Sequence, residues 1–135
     1  MRSLKILILE HNPFRMIALH QMFNAMGVYD VLTAPSMTAA LRSLDRRGVV
    51  DIALCDPQLG DGDGIALVRH LTQYREARAL ILLGNVGSHA MPELKTMLAY
   101  SDVTLLGHLG SPVSAVLMRG LLDAYQQGLA IQVRA

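Results

Sequence analysis

Short apolar segments alternate five times with longer segments of helical periodicity along this chain. Several of the short segments, such as KILIL, DIALC and LILL, contain almost no polar residue. Strands that read as near-continuous apolar runs are typical of parallel sheets covered by helices on both faces. The order therefore predicts a doubly wound α/β fold with a five-stranded parallel sheet. The predicted strands span residues 5–9, 29–34, 51–55, 80–83 and 103–109.

Helix boundaries are marked by capping residues. Asn12 precedes Pro13 after the first strand, and Asn is a good N-cap while Pro suits the first helical turn. Ser36 and Ser114 stand in the same position before two later helical segments. Each strand is therefore expected to be followed directly by a helix, in one domain over residues 1–135.

Composition excludes several classes of protein. The 135 residues are 52% hydrophobic and 17% charged, with a formal net charge of +1, so the chain can bury a large core. Basic residues are scattered, which argues against direct nucleic-acid binding. The apolar segments are too short to span a membrane, so no membrane partner is expected and a cytoplasmic protein is predicted. The single cysteine, Cys55, lies in a predicted buried strand and is expected to pack there.

Polar residues follow the predicted strands. In an open parallel sheet, ligands bind beyond the carboxyl ends of the strands, near the point where strand order reverses. Glu10 and Asp56 are expected to bring two carboxylates to this edge, although both could simply cap loops. The residues that follow the first, third, fourth and fifth strands include Glu10 and His11, Asp56, Gly84, and His108 with Ser111.

The sequence resembles the receiver domain of two-component response regulators over about residues 4–127. The resemblance rests on Glu10-His11-Asn12-Pro13 after the first strand, Asp56 after the third, the Asp63-Gly64 turn, and Ser111-Pro112 after the fifth. The segments VDIALCDPQLGDGDGIALVRHL and LLGHLGSP are similar, more narrowly, to receivers that precede a cyclic-di-GMP phosphodiesterase domain. The resemblance implies a flavodoxin-like (βα)5 receiver fold. It also implies that Asp56 is the phosphoacceptor for a histidine kinase, with Mg²⁺ held by Glu10, Asp56 and the backbone carbonyl of Gln58.

The sequence departs from the family pattern at four positions. His11 replaces the second acidic residue, and a neutral imidazole is a poor ligand for Mg²⁺. Gly84 replaces the Thr or Ser that binds the phosphoryl group, and Ser111 replaces Lys. His108 stands where the family has a switching Tyr or Phe. We therefore expect a degenerate phosphorylation site, with weak or no phosphorylation at Asp56 and weak or absent Mg²⁺ binding.

Other hypotheses remain open from the sequence. Asp56 could still accept phosphate, or His11, Glu10 and Asp56 could hold a softer metal. A remote alternative is a small flavodoxin-like ligand-binding enzyme, although the chain has no phosphate-binding glycine loop. No independent catalytic activity is expected.

Signalling by such a domain is expected to rest on protein contacts. The expected partners are a histidine kinase or another signalling protein, and a second copy of the chain. A constitutive homodimer is predicted through apolar residues of the helices at 91–98 and 114–125. Met91 and Met97 are expected to lie in the core, with an adaptable contact surface as the alternative. The chain is either a stand-alone adaptor or the N-terminal part of a longer regulator.

Overall fold

Five strands and five helices alternate along the chain. The computed structural model describes residues 2–57, 62–84 and 90–128. The elements are β1 (Arg2–Leu9), α1 (Pro13–Ala25), β2 (Val28–Ala34), α2 (Met37–Arg47), β3 (Val50–Cys55), α3 (Asp63–Tyr74), β4 (Ala77–Leu83), α4 (Ala90–Ala99), β5 (Thr104–Leu109) and α5 (Ala115–Gln127).

The strands form a single parallel sheet in the order β2-β1-β3-β4-β5. The chain moves outward from β1 to β2, then crosses back over β1 to β3 and continues in the other direction. Strand order therefore reverses between β1 and β3, and the crevice beyond their carboxyl ends is the expected ligand position. The predicted five-stranded flavodoxin-like α/β fold is confirmed.

Helices cover both faces of the sheet. On one face, α1 and α5 pack Leu19, Phe23, Met118 and Leu122 against the sheet. On the other face, α2, α3 and α4 contribute buried residues to a second core, among them Leu94. Successive residues of β1 enter opposite cores: Ile6 and Ile8 face α1 and α5, whereas Leu7 and Leu9 face the other helices. This burial on both sides explains the uninterrupted apolar runs.

Two strands begin well before their predicted starts. β1 begins at Arg2 and β4 at Ala77, three residues before each predicted start. Their first residues include the partly or fully exposed side chains Arg2, Ser3 and Arg78, so they lack the apolar signal. Backbone pairing extends these strands, as between Arg2 and Val28 and between Val50 and Ala77, and Leu4 and Ala77 add buried side chains to the two cores.

The predicted helix caps are confirmed. Asn12 Oδ1 accepts hydrogen bonds from the backbone N–H groups of Phe14 and Arg15, at 2.9 and 3.1 Å. The hydroxyls of Ser36 and Ser114 accept from the third residue of their helices. Asn12 therefore fixes the start of α1 next to the end of β1.

Cys55 is completely buried at the end of β3. Burial raises the pKa of its thiol to about 12, so it is protonated and unreactive at neutral pH. The packing role predicted for it is confirmed. In the part of the chain that the structure describes, no helix has the length and apolar character needed to cross a membrane.

Gly64, in the first turn of α3, packs directly against the backbone that follows β3. A Cβ placed on Gly64 would collide with the carbonyl oxygen of Asp56 and lie 2.7 Å from Pro57 Cα. Only a residue without a side chain allows this contact, because backbone atoms cannot give way as a flexible side chain would. Gly64 therefore sets the position of Asp56 relative to α3.

Gly64→Ala is expected to lower the free energy of unfolding by about 1–3 kcal/mol or more, because the new methyl group overpacks rigid backbone. Gly120→Ala is the matched control. Gly120 lies inside α5 with open space where a Cβ would point, so this change should raise stability by about 0.5–1 kcal/mol. Urea unfolding followed by circular dichroism measures both. Similar effects of the two substitutions would contradict the close approach at Gly64.

A hydrogen-bonded link ties α5 to the amino-terminal edge of the sheet. Tyr125 donates its phenol hydrogen to Asp51 Oδ1 at 2.7 Å, and Asp51 Oδ2 accepts from the Lys5 backbone N–H at 2.8 Å. Burial raises the pKa of Tyr125, and the hydrogen bond to Asp51 raises it further. The carboxylate of Asp51 thus joins β1, β3 and α5.

Tyr125→Phe is expected to lower the free energy of unfolding by about 1–2 kcal/mol at neutral pH, because Asp51 loses a donor. The raised pKa makes the unfolded chain lose its phenol proton first, so the difference from wild type should shrink above about pH 10. Tyr100→Phe, with a ring exposed to solvent, is the control. Urea unfolding at several pH values is the measurement. A difference that grows with pH would rule out the proposed hydrogen bond.

Candidate functional site

A pocket of about 260 Å³ opens at the carboxyl edge of the sheet, between α1 and the connection from β5 to α5. Its apolar wall includes Leu19 and Met22 of α1 and Leu83 at the end of β4. Four polar or charged residues lie in the same lining: Glu10, Arg15, Asp56 and Ser111. The structure therefore brings the predicted Glu10, Asp56, Gly84 and Ser111 together around one pocket.

Glu10 is the buried carboxylate of this pocket, with 5% of its surface exposed. Arg15 Nε donates to Oε1 at 3.0 Å and Arg15 Nη2 donates to Oε2 at 3.2 Å. The Asn12 backbone N–H also donates to Oε2, at 3.0 Å. Burial alone would raise the pKa of Glu10, but these donors outweigh it and hold the pKa below its usual value. Glu10 is therefore an ionised, fully hydrogen-bonded group.

Arg15 is the residue that sequence reasoning missed. It is the third residue of α1, and the Asn12 cap fixes its backbone N–H. Hydrogen bonds and charge from Glu10, together with the nearby charge of Asp56, raise its pKa. Its spacing of five residues from Glu10, across a capped helix start, is the sequence signal that could have indicated this contact.

His11 lies on the other side of the β1 terminus. Its Nδ1 is hydrogen bonded to the carbonyl oxygen of Pro35, and its Nε2 lies 3.9 Å from Asp63 Oδ2. Asp63 also accepts a hydrogen bond from the Met37 backbone N–H, at 2.9 Å. His11 is not among the described residues that line the pocket. The structure thus places His11 against the α2 and α3 side, away from the pocket that Glu10 and Asp56 share.

The Asp56 carboxylate lies where a side chain at position 84 would be placed. Asp56 follows β3 and is half-buried, and Gly84 follows β4 in a left-handed conformation, with φ of 81°. A Cβ on Gly84 would lie 2.5 Å from Asp56 Oδ2 and 2.9 Å from its Cγ. The Asp56 carboxylate therefore occupies the space that a side chain at position 84 would need.

His108 is joined to the same segment. Its side chain is exposed, and its Nε2 is hydrogen bonded to the carbonyl oxygen of Gly84. The Gly84 backbone N–H donates to the carbonyl oxygen of Leu109 at 2.9 Å. The end of β4 is therefore fixed to β5 by two hydrogen bonds, one of them from the histidine.

The polar groups described here do not fit a divalent metal as they stand. Both oxygens of Glu10 already accept hydrogen bonds from N–H donors. Within residues 2–57, 62–84 and 90–128, no group of three or more His, Cys, Asp or Glu side chains is arranged to hold a metal ion. Gln58, the third predicted metal ligand, lies outside the described residues.

Comparison with known proteins identifies the family. Residues 6–102 match the family model of the response regulator receiver domain. The cyclic di-GMP phosphodiesterase RocR of Pseudomonas aeruginosa is 30% identical over 125 residues, which cover 93% of this chain and 32% of RocR. The chain thus spans about a third of the length of this curated relative.

Solved structures share the fold. A response regulator from Colwellia psychrerythraea is similar with a TM-score of 0.71 and 20% identity, over 93% of this chain and 100% of that chain. The signal receiver domain of a modulated diguanylate cyclase from Desulfovibrio desulfuricans G20 gives a TM-score of 0.74 and 20% identity, over 92% and 94%. With the sheet order, the aspartate after β3 and the matched family model, these similarities show that the chain belongs to the response regulator receiver domains of two-component signalling.

Proposed function

We propose that this receiver domain signals through protein–protein contacts and accepts phosphate at Asp56 poorly. The observation that carries this proposal is the contact between Asp56 and Gly84. Gly84 offers no hydroxyl to bind a phosphoryl group, and a side chain at this position would have to displace the Asp56 carboxylate that lies beside it. The positive φ of Gly84 further disfavours any other residue at this position.

The absence of a lysine ammonium group at position 111, after the fifth strand, supports the same proposal. Ser111 lies in the pocket with Asp56 and offers a neutral hydroxyl. Developing negative charge on a transferred phosphoryl group is stabilised by nearby cations and donors, and loss of one such group costs about 3 kcal/mol. Without a lysine at position 111 and a hydroxyl at position 84, phosphotransfer to Asp56 is expected to be slow.

The pathway and partners follow from similarity. RocR is a cyclic di-GMP phosphodiesterase, and its similarity supports a role for this domain in cyclic-di-GMP signalling. The proposed partners are a histidine kinase or another signalling protein, in the cytoplasm, and a second copy of this chain. We assign no independent catalytic activity to the domain, and membership of the receiver family disfavours the alternative of a flavodoxin-like enzyme.

The positions of exposed apolar residues limit the proposed dimer surface to part of the two predicted helices. Met91 and Met97 of α4 pack against the core, as the favoured sequence interpretation held, so they contribute little to a contact surface. Leu94 is fully buried. At the start of α5, Val116 and Leu117 are 80% and 60% exposed. The predicted contact therefore centres on the first turn of α5 rather than on the apolar residues of α4.

A second candidate function is a receiver that still accepts phosphate at Asp56. One observation favours it: Arg15 places a guanidinium in the same pocket as Asp56. This cation could balance part of the phosphoryl charge that Ser111 leaves unbalanced.

Phosphorylation of Asp56 can be tested with acetyl phosphate, Mg²⁺ and intact-mass measurement. The wild-type chain is expected to gain little or no phosphoryl mass. Ser111→Lys returns an ammonium group to the pocket and should speed phosphorylation on the order of 100-fold. Asp56→Asn in the Ser111→Lys background is the control that should abolish the added mass. Rapid, complete phosphorylation of the wild type at Asp56 would favour the second candidate function.

The proposed dimer can be tested by sedimentation velocity. Wild type, Asp56→Asn and Asp56→Glu should all sediment as dimers, and Val116→Asp should weaken the dimer because a charge replaces an interface methyl group. Phe14→Asp is the matched control, since Phe14 on α1 is also 80% exposed. A monomer that dimerises only when Asp56 is phosphorylated or replaced by Glu would refute a constitutive contact. Loss of the dimer in Phe14→Asp alone would move the interface to α1.

A further inference from the structure

The Glu10 carboxylate already pairs with a cation of the protein itself, the guanidinium group of Arg15. Two nitrogens of Arg15 and the Asn12 backbone N–H donate to its two oxygens at 3.0–3.2 Å. Glu10 is buried, so these protein donors replace the water that would otherwise solvate it. An incoming metal ion would have to displace the guanidinium before it could use either oxygen.

Arg15 is held in this position from two directions. The Asn12 side chain accepts a hydrogen bond from the Arg15 backbone, which fixes the first turn of α1. The paired hydrogen bonds to Glu10 fix the guanidinium, a planar group suited to such contacts. Arg15 also shares the pocket with Asp56, whose charge raises the pKa of Arg15. The Arg15 guanidinium is therefore paired with Glu10 and lines the pocket that also contains Asp56.

We propose that the Arg15 guanidinium is the built-in cation of the Asp56 pocket and that it excludes divalent metal ions from it. Mg²⁺ requires oxygen ligands in near-octahedral geometry and gives up its water reluctantly. At this pocket it meets a saturated carboxylate and a positive charge. Arg15 has this role only if the pocket is the phosphoacceptor site of the proposed receiver function. The domain would then be insensitive to Mg²⁺.

An ordinary surface ion pair is the competing explanation. The Arg15 side chain is 59% exposed, and exposed ion pairs contribute little to stability. Such a pair would break readily and leave Mg²⁺ affinity unchanged when Arg15 is replaced. The burial of Glu10 distinguishes the two cases, because its carboxylate cannot simply turn to solvent when the guanidinium leaves.

Magnesium titration without any phosphate donor tests the proposal. Isothermal titration calorimetry with MgCl₂, together with amide NMR shifts of residues around the pocket, reports binding directly. Arg15→Met retains an unbranched side chain but removes the charge, and should increase Mg²⁺ affinity roughly tenfold or more over wild type. Arg15→Lys retains the charge and should bind Mg²⁺ no better than wild type. Arg69→Met removes an exposed arginine that pairs with Glu93, and should leave Mg²⁺ affinity unchanged.

Asp56→Asn in the Arg15→Met background should remove the gained affinity, which places the ion in the Asp56 pocket. Equal Mg²⁺ affinity of wild type and Arg15→Met, whether measurable or undetectable, would overturn the proposal. A gain in Arg15→Lys as large as that in Arg15→Met would overturn the part assigned to charge. These outcomes are distinguishable from failure of the proposed function, which fails if wild-type Asp56 is phosphorylated rapidly by acetyl phosphate.

Discussion

Burial of the sheet on both faces is the constraint on which the rest of this structure depends. Helices α1 and α5 cover one face, and α2, α3 and α4 cover the other. The buried positions of the strands then hold apolar side chains, because an unpaired polar group there costs free energy. Polar chemistry is confined to the ends of the strands. Because β1 and β3 are neighbours at the reversal of strand order, Glu10 and Asp56 meet at one edge.

At this edge of the sheet, neighbouring residues compensate the charge of Glu10 and leave space for the Asp56 carboxylate. Glu10 is buried and ionised because Arg15 and Asn12 supply its hydrogen-bond donors. Asp56 lies against a glycine, so its carboxylate fills space that a larger residue would take. Arg15, Gly84 and Ser111 thus line one pocket. Arg15 supplies the charge that pairs with Glu10, and Gly84 leaves space for the Asp56 carboxylate.

The sequence indicated the fold well because its strongest signals are periodic. Continuous apolar runs predicted the five strands, and Asn12, Ser36 and Ser114 predicted three helix starts. The early residues of β1 and β4 were missed because the exposed polar residues Ser3 and Arg78 interrupt the apolar pattern there. The strand ends predicted which residues surround the pocket, but not the direction in which His11 points. Arg15 was missed because its contact with Glu10 depends on how the capped first turn of α1 is oriented, which spacing alone does not define.

The close contact of Asp56 with Gly84 limits which residues fit at position 84. A hydroxyl residue substituted at position 84 would have its Cβ against the Asp56 carboxylate. It would also have to adopt a left-handed backbone conformation that suits glycine. Both the backbone after β4 and the side chain of Asp56 would have to change together before such a residue could be useful. A hydroxyl residue at position 84 would therefore cost stability through crowding and backbone strain, and it could contribute to the site only after the surrounding structure had adjusted.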